Sequence, residues 1–168
     1  MSDKNKKYHQ STLAVSQVSE PAVAYYTPAN NLFTILFGNS SVYDAPVDFD
    51  MLKASREGLP KLSLMALAKR ISLTIQEFAD IMHISERTLQ RYEDDTIIKT
   101  EYTEKAIELA RLYTRGEEVF GSLDKFKTWM KTPLHVFRGD TPVSLLDTSI
   151  GFDMVFKELG RIEHGIFA

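Results

Sequence analysis

The stretch that most limits the fold is TIQEFADIMHISERTLQRYE, residues 74–93. It holds two helix starts with room between them for little more than a tight turn. Thr74 and Glu77 form a capping-box pair, in which the hydroxyl accepts from one orphan amide and the carboxylate reaches back to another. Phe78, Ala79 and Met82 then share one face, and small Ala79 lets a second helix cross closely. Ser85 starts that second helix, with Leu89 and Tyr92 turned to the core. The turn between them ordinarily wants glycine in left-handed geometry. Here it has His83, one of the residues that tolerates that region better than most.

The flanks repeat the same grammar. Phe49, Leu52 and Lys53 begin a short helix that Gly58 and Pro60 end. Leu62, Met65, Ala66 and Ile71 trace an amphipathic stripe broken near Ser72. TEKAIELARLYTRGEEVFG carries Ile107, Ala110, Leu112 and Val119 inward and stops at Gly121. SLDKFKTWMKTP turns Phe126, Trp129 and Met130 inward and ends by Pro133. Thr141 and Pro142 have the order of an N-cap and a first helical residue. Phe152, Val155, Phe156, Leu159 and Ile162 mark a last helix from about Ser149. No strand pattern follows residue 45, so the expected class is all-α: a helix-turn-helix domain, then a small helical domain.

Residues 1–45 are rich in Ser, Asn, Pro, Ala and Tyr and lack helical periodicity. They read as an irregular, partly disordered arm with one buried element, Leu32 to Phe37, that covers the core or meets a second copy of the chain. Residues 46–115 form the helix-turn-helix region and 116–168 the C-terminal domain.

The core assignments leave Glu86, Arg87, Thr88, Gln90 and Arg91, with the cap Ser85, on the outer side of the second helix. Polar donors there suit the major groove, where arginine fits guanine, glutamine fits adenine and hydroxyls reach phosphates. The net charge of −3 leaves no surplus for coating nucleic acid nonspecifically, so any DNA binding is local. Residues 61–92 hold five positive side chains (Lys61, Lys69, Arg70, Arg87, Arg91) against three negative (Glu77, Asp80, Glu86), an excess of two. Glu93, Asp94 and Asp95 would repel phosphate if they faced it. The competing reading is a helical hairpin with a solvated outer face. One such module has a small interface and weak charge, so DNA binding calls for a dimer or larger assembly, with half-sites set by its geometry.

Other chemistries find no residues. The chain has no cysteine, which removes disulfides, thiolate zinc sites and cysteine nucleophiles. None of its four histidines has a metal-ligand spacing, and adjacent Glu163 and His164 diverge on a helix. Glu93, Asp94 and Asp95 lack the spaced ligands and glycine of a calcium loop. No phosphate loop or nucleophile elbow occurs, and no enzyme, metal or cofactor is expected. The apolar run NNLFTILFG is far short of the roughly 20 residues of a membrane span, and the N-terminus is a poor secretory signal, which points to the cytoplasm.

Four ordered signatures carry a resemblance. SERTLQR, the Trp-x-x-Thr-Pro unit at Trp129 to Pro133, TPVSLLDT ending in Asp147 and Thr148, and LGRIEHGIFA resemble the Xre/MbcA/ParS antitoxins of RES-type toxin–antitoxin pairs. The likeness covers about residues 49–168. It departs at His83 and in PLHVFRG, where the family tends to have an asparagine after the proline and a small residue before the glycine. The resemblance implies that the C-terminal domain binds a cognate RES-domain toxin that consumes NAD, blocking its active site with the chain's end. It also implies repression of the shared operon through the helix-turn-helix, with self-association and larger complexes with the toxin.

The end itself, Gly165, Ile166, Phe167 and Ala168, is an apolar stub beyond a helix-stop glycine. By residue burial alone, Ile166 and Phe167 fold back against Phe152 and Val155. By the resemblance, they project as a plug, with Arg161, Glu163 and His164 as the polar groups beside it. Two other readings stay open: a helix-turn-helix regulator without a toxin partner, and an interaction protein whose helix pair serves dimerisation.

Overall fold

A computed structural model describes residues 32–37 and 48–165. The remainder of the expected arm and the stub Ile166 to Ala168 lie outside the described residues. In chain order the elements are α1 (Leu32–Phe37), α2 (Asp48–Glu57), β1 (Leu59–Pro60), α3 (Lys61–Arg70), α4 (Ile75–Met82), α5 (Glu86–Arg91) and β2 (Ile97–Ile98), followed by α6 (Thr100–Phe120), α7 (Leu123–Met130) and α8 (Ser149–Glu163). Two 3-10 turns, His135–Phe137 and Pro142–Leu145, lie between α7 and α8.

The all-α expectation holds, with one addition. β1 and β2 pair antiparallel over two residues, Leu59 with Ile98 and Pro60 with Ile97. Gly58 makes the pairing possible. Its φ is +86°, and a Cβ there would overlap the Ile98 carbonyl oxygen. The pair ties the end of α2 to the start of α6.

α6 is the spine. α1, α2, α3 and α4 pack on it, and so do α7 and α8. Its length of 21 residues reflects an apolar face unbroken from Thr103 to Gly116, stopped only where Gly121 adopts φ +67°. Along it run Ala106, Leu109, Ala110, Leu112 and Tyr113, all fully buried. Gly116 is needed because the Phe126 ring lies where a Cβ would stand. Phe126 in turn meets Tyr113 edge-on, with ring centres 5.1 Å apart, and stacks on Trp129 at 5.6 Å. This aromatic cluster joins α6 to α7.

α1 settles one open choice. Leu32, Phe33 and Leu36 are buried against α3 and α6, so the Leu32 to Phe37 element belongs to this chain's own core. The expected stripe on α3 holds at Ile71 and in part at Met65, but fails at Leu62 and Ala66. Leu62 is 60% exposed and Ala66 is exposed, while Leu64, Leu67, Ala68 and Ile71 are buried. The segment is apolar at so many consecutive positions that two stripes fit it. Docking of its first turn on the loop after α5, through Lys61 N–H to Thr96 O and Leu62 N–H to Asp94 O, selects the other one.

Candidate functional site

α4 starts as its sequence requires. The Glu77 amide donates to Thr74 Oγ1 at 3.1 Å and the Thr74 amide to Glu77 Oε2 at 2.7 Å. Phe78, Ala79, Ile81 and Met82 are buried. The helix ends in a turn with Ile84 N–H donating to Ala79 O and His83 N–H to Asp80 O, with His83 at φ 53° and ψ 37°. That is the Schellman arrangement, with histidine in the slot that glycine usually fills. α3 ends the same way, with Ser72 at φ 59°.

Ser85 caps α5, accepting from the Thr88 amide at 3.1 Å, and its hydroxyl also lies 2.7 Å from Thr88 Oγ1. Leu89 is the one buried residue of the helix. Arg87, Thr88, Gln90 and Arg91 are exposed together on the outer side, and Glu86 is half-buried. Among the described residues neither Arg87 nor Arg91 has an ion-pair partner. The acids that follow are partly accounted for. Lys61 Nζ lies 3.4 Å from Asp94 Oδ1 and donates to Tyr92 O at 2.7 Å.

The helix pair is joined to the C-terminal region. Lys131, just past α7, places Nζ 3.2 Å from Glu77 Oε2. Burial pushes the Glu77 carboxyl up, but the Thr74 amide and the Lys131 ammonium outweigh it, and its pKa falls below the ordinary carboxylate value. A cleft of about 620 Å³ opens beside this contact, between the α4–α5 turn and the 3-10 turn Pro142–Leu145. No group of residues able to hold a metal ion occurs among the described residues.

At the other end, Thr148 caps α8 by accepting from the Gly151 amide at 3.0 Å. Gly151 is required, since a Cβ there would overlap the Leu145 carbonyl oxygen. Pro142 does stand at a first helical position. The segment it opens is a single 3-10 turn, however, and Thr141 makes no side-chain cap bond. In PLHVFRG the residue before the glycine, Arg138, has φ 59°. This is a left-handed position, which small or polar residues fill more readily.

α8 buries Gly151, Phe152, Val155 and Leu159. Glu163 turns to α6 and binds Arg115, which also holds Glu118 at 3.0 Å. Arg161 lies 3.5 Å from Glu158, and His164 is exposed. Glu163 and His164 thus diverge as expected. Gly165 takes φ +67° and its amide donates to Ile162 O, so the helix stops where the glycine stands. The three residues expected to form the plug, Ile166, Phe167 and Ala168, are outside the described residues. Sequence reasoning missed the outer side of α8, where Ile150 is 75% and Met154 41% exposed. The available signal was apolar residues at i and i+4, opposite the buried stripe.

Two family descriptions match the chain in succession. Residues 50–111 match the antitoxin Xre-like helix-turn-helix domain, and residues 115–165 the antitoxin Xre/MbcA/ParS C-terminal toxin-binding domain. An antitoxin Xre of Pseudomonas putida is 30% identical over 119 residues, spanning 70% of this chain and 74% of that protein. The chain belongs to the Xre/MbcA/ParS antitoxin family. An antitoxin Xre of Photorhabdus laumondii is 33% identical over 92 residues, 52% of this chain and 62% of its own. The Prs ADP-ribosylating antitoxin of a Sphingobium species is 25% identical over 143 residues, 79% and 89% of the two chains. A chain of the M. tuberculosis MbcT–MbcA toxin–antitoxin complex aligns with a TM-score of 0.47 at 20% identity, covering 70% of this chain and 97% of that one. In this antitoxin the boundary between the two matched stretches falls inside α6. The Arg115–Glu163 pair closes the toxin-binding part from its first turn to its last. Among the described residues no helix is long and apolar enough to cross a membrane.

Proposed function

We propose that this antitoxin neutralises a cognate RES-domain, NAD-degrading toxin by seating its C-terminal residues in the toxin's active site, and represses its own operon through α5. It acts in the cytoplasm without enzymatic activity of its own, as a dimer or larger complex with toxin on operator DNA. Residues 46–115 serve DNA and 116–168 serve the toxin.

The observation that carries the reading is the end of α8. A helix of 15 residues, capped and anchored in the core, stops at an exposed left-handed glycine, with an apolar stub still to come. Phe152 and Val155, the partners for folding back, lie ~20 and ~15 Å up the helix from Gly165 by its rise per residue. A stub on a rigid stem also loses less freedom when it inserts. In this reading Arg161 and His164 meet the rim of the toxin's cleft, while Glu163, bound to Arg115, aims the stem.

Deleting Ile166 to Ala168 is expected to leave the melting temperature unchanged and to restore NAD loss in cells carrying the RES-domain toxin. Continued protection by the truncated chain would sink the plug. For DNA, Ser85 and Glu86 set the start of α5, Arg87 and Arg91 supply the attraction, and Thr88 and Gln90 adjust sequence choice. Alanine at either arginine should cost about 1–3 kcal/mol in operator binding if it reads a base, or lower the salt slope by about one if it holds a phosphate. Unaltered operator affinity in the double substitution would remove this surface from consideration.

A further inference from the structure

The apolar residues of the C-terminal region are not all used for folding. At 100° per residue, Ile150, Met154, Lys157, Arg161 and His164 fall on one narrow stripe of α8, opposite Phe152, Val155 and Leu159. The stripe changes character along its length. Ile150 and Met154, 75% and 41% exposed, form an apolar first half, with Asp153 beside them. Lys157, Arg161 and His164 form a polar second half that runs down to Gly165, cationic at Lys157 and at Arg161, whose guanidinium lies 3.5 Å from Glu158.

Resting on the toxin-inhibitor reading above, we infer that this stripe is the strip on which the body of the toxin docks, an apolar seat first and carboxylates next. Three considerations select that occupant. The stripe lies wholly within residues 115–165, the stretch matching a toxin-binding domain. DNA offers no seat for Ile150 and Met154, and Asp153 repels phosphate. A second copy of α8 is a poor fit. A two-fold axis across antiparallel copies would lay the apolar half of each on the Lys157 and Arg161 half of the other. A different protein, with its own apolar patch next to acidic side chains, matches both halves.

The strip and the stub separate by experiment. The full-length antitoxin is mixed with the purified RES-domain toxin and the affinity measured by calorimetry. Ile150→Glu/Met154→Glu should weaken binding by about 100-fold, because two carboxylates would be buried in an apolar seat. Lys157→Glu/Arg161→Glu should weaken it by about 10-fold, with a steeper loss at low salt. Ile150, Met154 and Lys157 are exposed, so melting temperature and operator affinity should hold for the apolar pair and, apart from the lost Arg161–Glu158 contact, for the cationic pair. If the glutamate pair disturbs folding, Ile150→Ala/Met154→Ala removes the apolar contact without adding charge and should still weaken binding about 10-fold. Toxin binding within threefold of wild type by that alanine pair, or by a folded glutamate pair, overturns the strip and leaves the inhibitor reading standing. A wild-type chain that fails to bind the toxin overturns both.

Discussion

α5 and α8, the two helices proposed to meet partners, are built in opposite ways. α5 has six residues, one buried anchor at Leu89 and a wholly polar outer side. α8 has 15 residues, four buried positions and an outer side that mixes Ile150 and Met154 with charges. A helix of six residues has no stability of its own. It is held by its cap, its one anchor and the turn at His83. A surface for DNA tolerates that construction, because its side chains gain partners through hydrogen bonds and charge, and need only be aimed. A surface for a protein needs apolar area, and apolar area must be kept from collapsing inward by a helix that is already satisfied on its other face.

The largest test of this contrast uses the same substitution in both helices. Leu89→Ala and Leu159→Ala each remove a leucine that is 2% and 1% exposed, and each should cost about 2–5 kcal/mol in a denaturant melt. The functional outcomes should differ. Leu89→Ala removes the sole anchor of α5, so operator binding should fall further than global stability does. Leu159→Ala leaves Phe152 and Val155 in place, so toxin binding should survive at temperatures where the chain stays folded. Equal loss of both functions in the two variants would show that the helices are held alike.

A smaller test compares the caps. Ser85 and Thr148 each accept from the amide three residues on, at 3.1 and 3.0 Å. Alanine at either should cost about 1 kcal/mol of stability. Only Ser85→Ala should also weaken operator binding, since a frayed first turn of α5 moves Arg87 and Thr88. A Thr148→Ala variant that loses operator binding equally would contradict this.

The smallest effect belongs to the contact between the two halves. Removing the ammonium with Lys131→Ala should cost about 0–1 kcal/mol at neutral pH, because the Glu77–Lys131 pair is partly exposed. The Glu77 carboxyl is depressed in the folded state, so the stability it contributes is complete above its unfolded value. That stability is lost as pH falls below about 4.5 toward the folded value. The gap between wild type and variant should therefore close in acid. A gap that widens there would mean that another group supplies it.

What the sequence made legible follows the same division. The capping box at Thr74 and Glu77, the left-handed turn at His83, the cap at Ser85 and the stop at Gly165 depend on local backbone chemistry, and each stands where its residue type placed it. The phase of α3 was not legible. Leu62, Leu64, Met65, Ala66, Leu67 and Ala68 are too evenly apolar, and a two-residue strand pair is too short to leave a pattern. Ile150 and Met154 were hidden for a related reason. An apolar side chain meant for a partner reads like one meant for the core, whereas Arg87 and Arg91 can only be outside.

The unbroken course of α6 bears on how the two halves can be inherited. Its 21 residues make a rod of about 32 Å that crosses from one matched domain into the next. One residue inserted within it turns everything downstream by ~100° and advances it by ~1.5 Å. A toxin-binding half exchanged between relatives at a point inside this helix would arrive out of phase with the helix-turn-helix half. Exchanges that keep the phase must fall at the ends of the rod, at the loop before Thr100 or at Gly121.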